Sequence, residues 1–200
     1  MARQGDLFSS TADGTPGPAG PEPDLELNRE QLLDWQARLA SHQAPLFNPD
    51  RPPSSEQGLL FPSDGGTEDQ LGGLRLLELR SQPLSFWRLP QASQEGAALY
   101  FVTDRPSQLP QPLLLYIGET SHAERRWKGD HDCKSYLARY SEALRREGLE
   151  VQLSIRFWLD VPAAIRPRRQ LEQALIQHWL PPFNKETRGR WQAPFTALPD

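Results

Sequence analysis

A tyrosine in an apolar run and an arginine pair beyond it are side chains of this chain that could do chemistry together. Tyr116 stands in the apolar run Leu113-Leu114-Leu115-Tyr116-Ile117, which Gly118 ends, and Arg125, Arg126, Trp127 and Lys128 follow within LLLYIGETSHAERRWKGDH. A strand that runs through a glycine turn into a capped helix aims polar groups at a substrate. Thr120 or Ser121 is suited to the N-cap, and Glu124, three residues after Ser121, completes a capping box. Alone, this stretch predicts anion binding, since an arginine guanidinium offers an anion a bidentate fork. A glutamate on a helix face, such as Glu172, is a hard oxygen donor of the kind that Mg²⁺ or Mn²⁺ takes. A tyrosine hydroxyl has an ordinary pKa near 10, so it works as a base only beside a cation. Taken singly, each residue also has a plainer reading. Tyr100 and Tyr116 suit a core edge, Arg126 a solvated surface, Glu172 an exposed helix face, and Asn184 a turn after Pro181-Pro182.

The elements that must position these groups lie mostly in the second half. Ala97 to Val102 and Leu113 to Ile117 are short apolar runs that predict two strands of an antiparallel hairpin, joined by the Pro-rich 103–112. A helix is expected near 121–128. Another is expected over 132–147, where Tyr136, Leu137, Tyr140 and Leu144 recur at helical spacing and Gly148 is the C-cap. Val151, Leu153, Ile155 and Phe157 alternate with Gln152, Ser154 and Arg156, which predicts a strand with one buried and one polar face. Pro167 in a first turn opens a helix to Leu180, and Pro181-Pro182 ends it. The fold class is therefore α/β (α+β): a small three-stranded, mostly antiparallel sheet flanked by helices. Upstream, 1–26 reads as a disordered Pro/Gly/acidic tail. Residues 27–47 are helical, with Asn28 and Gln31 as the start signal. Residues 48–73 are a linker, and 74–95 are a lead-in whose Phe86-Trp87 covers one edge of the domain. The domain itself spans 96–190, and 191–200 form a C-terminal tail.

Composition narrows the class. Of 200 residues, 37% are hydrophobic, low for a fully packed globule, and Cys133 is the only cysteine. Neither a disulfide within one chain nor a cysteine-based zinc site can form, and a reducing compartment is implied. No apolar stretch approaches the length of a membrane span. The expectation is a cytoplasmic protein with no membrane partner. The net charge of −4 divides into −7 over residues 1–95 and +3 over 96–200, so the second half is the one suited to an anion. Lys134, Arg139, Arg145 and Arg146 form either a phosphate-tracking helix face or a solvated one. His122 and His178 read as structural or surface residues.

Ala98-Leu99-Tyr100, then Tyr116-Ile117-Gly118, then Arg126, Glu172 and Asn184 together resemble the signature of the GIY-YIG nuclease superfamily over roughly 97–186. The segments YIG…ERRWK and LEQALIQHWLPPFN are each similar to the family's motifs, with Arg126 eight residues after Gly118 and Glu172 twelve before Asn184. The resemblance implies an endonuclease that hydrolyses DNA phosphodiester bonds with one Mg²⁺ (or Mn²⁺) held by Glu172. It further implies that Tyr100 and Tyr116 flank the scissile phosphate, with Tyr100 as base and Tyr116 as its hydrogen-bonding partner. Arg126 is then the phosphate clamp, and Gly118, Lys128, His131 and Asn184 are supporting residues. The chain departs from the pattern at Ala98, where glycine is usual, and in the length of the connection between the tyrosines. Asp130 stands where some members carry a histidine or lysine, which leaves Lys128 or His131 as the second cation. The alternatives are a non-cleaving nucleic-acid-binding module of the same fold, and an interaction protein whose acidic N-terminal half recruits a partner or shields the basic site.

Overall fold

The computed structural model describes residues 27–47, 74–86, 96–123, 132–192 and 195. The tail read over 1–26, the linker over 48–73 and the helix near 121–128 beyond Ala123 lie outside them. So do Trp87, Arg125, Arg126, Lys128, Asp130 and His131.

The described chain is α+β. Helix α1, Arg29–Gln43, opens with a capping box in which the Asn28 side chain accepts the Gln31 N–H and the Gln31 side chain accepts the Asn28 N–H. Strand β1, Gln82–Pro83, is followed by β2, Ala98–Asp104, and β3, Leu113–Thr120. Then come α2, Asp132–Arg146, β4, Ser154–Trp158, α3, Ile165–Trp179, and the single turn α4, Arg188–Trp191. The strands form one antiparallel sheet in the order β1-β4-β2-β3. The sheet has four strands where three were expected. The additional one is two residues long, and its proline ends it at an outer edge, where a missing N–H costs no ladder bond.

Helix α2 ends as expected at Gly148, which takes φ +67° while Gly148 N–H and Leu149 N–H donate to Arg145 and Leu144 carbonyls. These bonds make a Schellman motif. Helix α3 ends at Leu180, in the left-handed region, before the two prolines.

Two apolar cores sandwich the sheet. On one face, Tyr100, Val102, Leu113, Leu115, Ile155 and Phe157 pack with Leu32, Trp35 and Leu39 of α1 and Tyr136, Tyr140 and Leu144 of α2. On the other, Leu99, Phe101, Leu114 and Ile117 pack with Leu171, Leu175, Ile176 and Trp179 of α3. Helix α1 is thus part of the domain's own core, and Phe86 of the lead-in is buried against Phe157 with ring centroids 5.0 Å apart.

Strand β4 corrects the expected alternation. It begins at Ser154 rather than Val151, and its polar face is covered: Arg156 is buried, donating to the hydroxyls of Thr103 and Ser154.

Strand β3 is the sheet's edge, and it carries a bulge. Val102 pairs with Tyr116 but Thr103 pairs with Leu114, so Leu115 is the extra residue. Strict alternation would set Tyr116 on the face opposite Leu113 and Leu115. The bulge resets the register, and all three pack into the core that holds Tyr100.

Candidate active site

The register set by the bulge brings the two tyrosines together. Tyr100 pairs with Gly118 and Val102 with Tyr116, so the tyrosines are diagonal neighbours on one face. Their ring centroids lie 5.9 Å apart with 32° between the planes. Gly118 does not end the strand, which continues to Thr120. Its role is to leave room. A Cβ there would run into the Tyr100 ring, whose Cε1 lies 2.7 Å from that position. Tyr100 is buried and Tyr116 half-buried. Burial pushes the Tyr116 phenol well above its ordinary pKa, and the charges of Tyr100, Cys133 and Glu172 and a hydrogen bond with Tyr100 push it further.

The outward edge of β3 is closed along its length. The Gln43 carboxamide accepts the Leu114 N–H at 2.8 Å and donates to the Leu114 carbonyl at 2.9 Å. Phe183 N–H donates to the Leu115 carbonyl. The Asn184 carboxamide accepts the Ile117 N–H at 3.0 Å and donates back to its carbonyl at 2.8 Å. Glu172 continues the series by accepting the Glu119 N–H. An edge strand leaves these groups open to pairing with another chain, and each cap removes one such opening. Asn184 is therefore committed to the backbone that carries Tyr116 and Gly118 and acts by holding it.

Glu172 is half-buried on α3, and its charge is the last of the causes that raise the Tyr116 phenol. Burial pushes its carboxyl up to about 7, with the charges of Glu119 and Glu186 adding to the shift and the Glu119 N–H and Arg169 opposing it. Glu119 itself is spoken for, with one oxygen 3.0 Å from Arg168 Nε and the other 3.3 Å from Arg169 Nε. Among the described residues, no group of three or more His, Cys, Asp or Glu side chains is placed to hold a metal ion.

Of the residues singled out in the sequence, Tyr100, Tyr116, Gly118, Glu172 and Asn184 meet around the outgoing half of β3. Arg126, Lys128 and His131 lie outside the described residues. Ser121 is engaged by Arg168 Nη2 at 2.7 Å, whereas Thr120 Oγ1 accepts the His122 N–H in the turn that follows β3. Sequence reasoning missed Glu119, Arg168 and Arg169. The signal was present: Glu119 directly follows Gly118, and Arg168 precedes Glu172 by one helical turn, on the same face. Among the described residues no helix is long and apolar enough to cross a membrane. Comparison of the chain with protein-family models, curated proteins and solved structures finds no match in any of the three.

Proposed function

We propose that this protein is a divalent-metal-dependent endonuclease that hydrolyses DNA phosphodiester bonds at the outgoing half of β3. The observation that carries the reading is the juxtaposition of Tyr100 and Tyr116, ring centroids 5.9 Å apart, with the Glu172 carboxylate near enough to act on Tyr116.

The donor set fits one Mg²⁺ or Mn²⁺. Glu172 is a single hard oxygen ligand crowded by Glu119 and Glu186, negative charge that a divalent cation relieves. With Glu119 tied to two arginines, water and phosphate oxygens complete the shell. A cation held there supplies Lewis-acid stabilisation of the charge that develops on the phosphoryl group.

The chain's own residues supply the rest. Tyr116 stays protonated at any working pH, because burial and its neighbours hold its pKa up. It therefore serves as a hydrogen-bond donor, and the base is Tyr100, which acts as its phenolate beside the cation, takes one proton of the attacking water and becomes the neutral phenol. The water oxygen bonds to phosphorus, the bond to the leaving sugar oxygen breaks, and that oxygen is protonated from solvent. Arg126 is the expected clamp on the non-bridging oxygens.

The test is a nicking assay on plasmid and branched DNA with Mg²⁺ or Mn²⁺. Wild-type protein should give a metal-dependent product that Glu172→Ala abolishes, and Tyr100→Phe should lower the rate by about 10²–10⁴. Equal cleavage by wild type and Glu172→Ala would refute the catalytic assignment. Salt-dependent binding of DNA with no metal-dependent product would identify a non-cleaving module instead.

A further inference from the structure

Arg168 has no exposed surface, although its guanidinium is charged. Burying such a charge is costly unless each donor is matched. Here Nε donates to Glu119 Oε2 at 3.0 Å and Nη2 to Ser121 Oγ at 2.7 Å. Nη1 donates to the carbonyls of Pro162 and Ala163 at 3.0 and 2.7 Å. One side chain thus joins the end of β3 to the loop that leads into α3. Those are the two elements that place Glu172, which stands one helical turn beyond Arg168 and accepts the Glu119 N–H.

On the reading that Glu172 is the metal-binding carboxylate, we propose that Arg168 is its positioning residue. Two features support this beyond a role in folding. None of the partners of Arg168 belongs to either apolar core, and one of them, Glu119, is also the neighbour of Glu172. Arg168 and Arg169 also take one oxygen each of Glu119, the carboxylate that would otherwise compete for the cation. The site is thereby held at one carboxylate in one place. Supporting residues around a metal ligand act in this way, and their loss typically costs about 10–100-fold in metal affinity or activity. Lysine cannot replace this arginine, because three donors on one point charge do not match a fork that serves four acceptors.

The experiment uses the full chain at pH 8, with Mn²⁺ binding followed by electron paramagnetic resonance alongside DNA-nicking kinetics. Arg168→Lys is expected to weaken Mn²⁺ binding and lower kcat, each by roughly 10–100-fold, with KM for DNA within about twofold of wild type. Ser121→Ala removes one of the four partners and should weaken Mn²⁺ binding roughly fivefold, the worth of one hydrogen bond. A folded Arg168→Lys protein with wild-type Mn²⁺ affinity and kcat overturns the proposal, since Arg168 then only holds the fold. If Arg168→Lys does not fold, wild-type Mn²⁺ affinity in Ser121→Ala overturns it equally. Binding of Mn²⁺ that depends on Arg168, without DNA cleavage, sinks the nuclease reading and leaves the positioning role standing. Absence of Mn²⁺ binding by wild type overturns the positioning role itself.

Discussion

Gly118 lies under the Tyr100 ring, and no side chain can be added there without moving that ring. The backbone at Gly118 is not left-handed, so the requirement is for space and not for conformation. Gly118→Ala should therefore act through Tyr100. Displacing a packed ring costs about 1–3 kcal/mol, to be read as a lower urea midpoint, and nicking activity should fall further than Tyr116→Phe alone lowers it. The other group to be tested at this scale is Glu172. Its carboxyl is held near 7, above its unfolded value. A raised carboxyl binds its proton more tightly when folded, so between the two values stability falls as pH rises. The metal-free protein should accordingly be more stable at pH 5 than at pH 8 where this group is concerned, and Glu172→Gln should remove that difference. Metal binding runs the opposite way. If Glu172 is the ligand, as proposed, a cation must displace the proton, so Mn²⁺ affinity should drop about tenfold for each pH unit below 7 and level off above it. Proton release on binding, measured by calorimetry in two buffers of different ionisation enthalpy, checks the same point. An affinity flat from pH 5.5 to 8 would mean that Glu172 is not the ligand.

At the scale of the element, β3 is held from its outer edge by side chains distant in sequence. Gln43 reaches it from α1, across 71 residues. Gln43→Ala leaves a buried N–H and a buried carbonyl at Leu114 without partners, and each such group costs about 1–3 kcal/mol. A large fall in urea midpoint at unchanged slope is expected. The Arg38 to Asp34 pair on the exposed face of α1 provides the contrast, and Arg38→Ala should cost no more than about 0.5 kcal/mol. A second long-range link is the chain of Gln36 Nε2 to Tyr140 and Tyr140 OH to Asp104, both at 2.7 Å, which binds α1, α2 and β2. These links mark what sequence could and could not convey. Helices α1, α2 and α3 were legible from periodicity and caps, because Asn28, Gly148 and Pro181 are local signals. The runs at 97–102 and 113–117 were legible as strands because they are apolar. The bulge at Leu115 was not, since in Leu-Leu-Leu-Tyr-Ile every register is equally apolar and the choice is made by β2 and the core. Strand β1 was missed because two residues, one of them proline, carry no alternation. Arg156 read as solvent-facing because its burial depends on Thr103, 53 positions away. The tyrosines and Glu172 were legible as residues, but not Arg168, whose partners come together only in the fold.

For the whole molecule, the acidic first half divides at Leu27. The expectation that the acidic N-terminal half recruits a partner or shields the basic site treated that half as separable, and α1 is not. Leu32, Trp35 and Leu39 are buried in the same core as Tyr100 and Phe157. At about 1.5–3 kcal/mol for each large apolar side chain, their loss removes roughly 5–9 kcal/mol, before the opened edge of β3 is counted. A domain's whole stability is about 5–15 kcal/mol. Deleting residues 1–47 should therefore yield a protein that is unfolded or aggregated, and its lack of activity would say nothing about partners. Deleting residues 1–26 is different. The Asn28 capping box and the α1 contacts among the described residues remain, so the urea midpoint should stay within what about 0.5 kcal/mol allows. That shorter deletion is the informative one for regulation. Residues 1–26 carry one basic and five acidic residues, so removing them raises the net charge by four, from −4 to 0. If this acidity screens the basic second half, the deletion should tighten DNA binding and steepen its dependence on salt. Unchanged affinity at 50 mM and 200 mM salt would assign residues 1–26 no electrostatic part in substrate access.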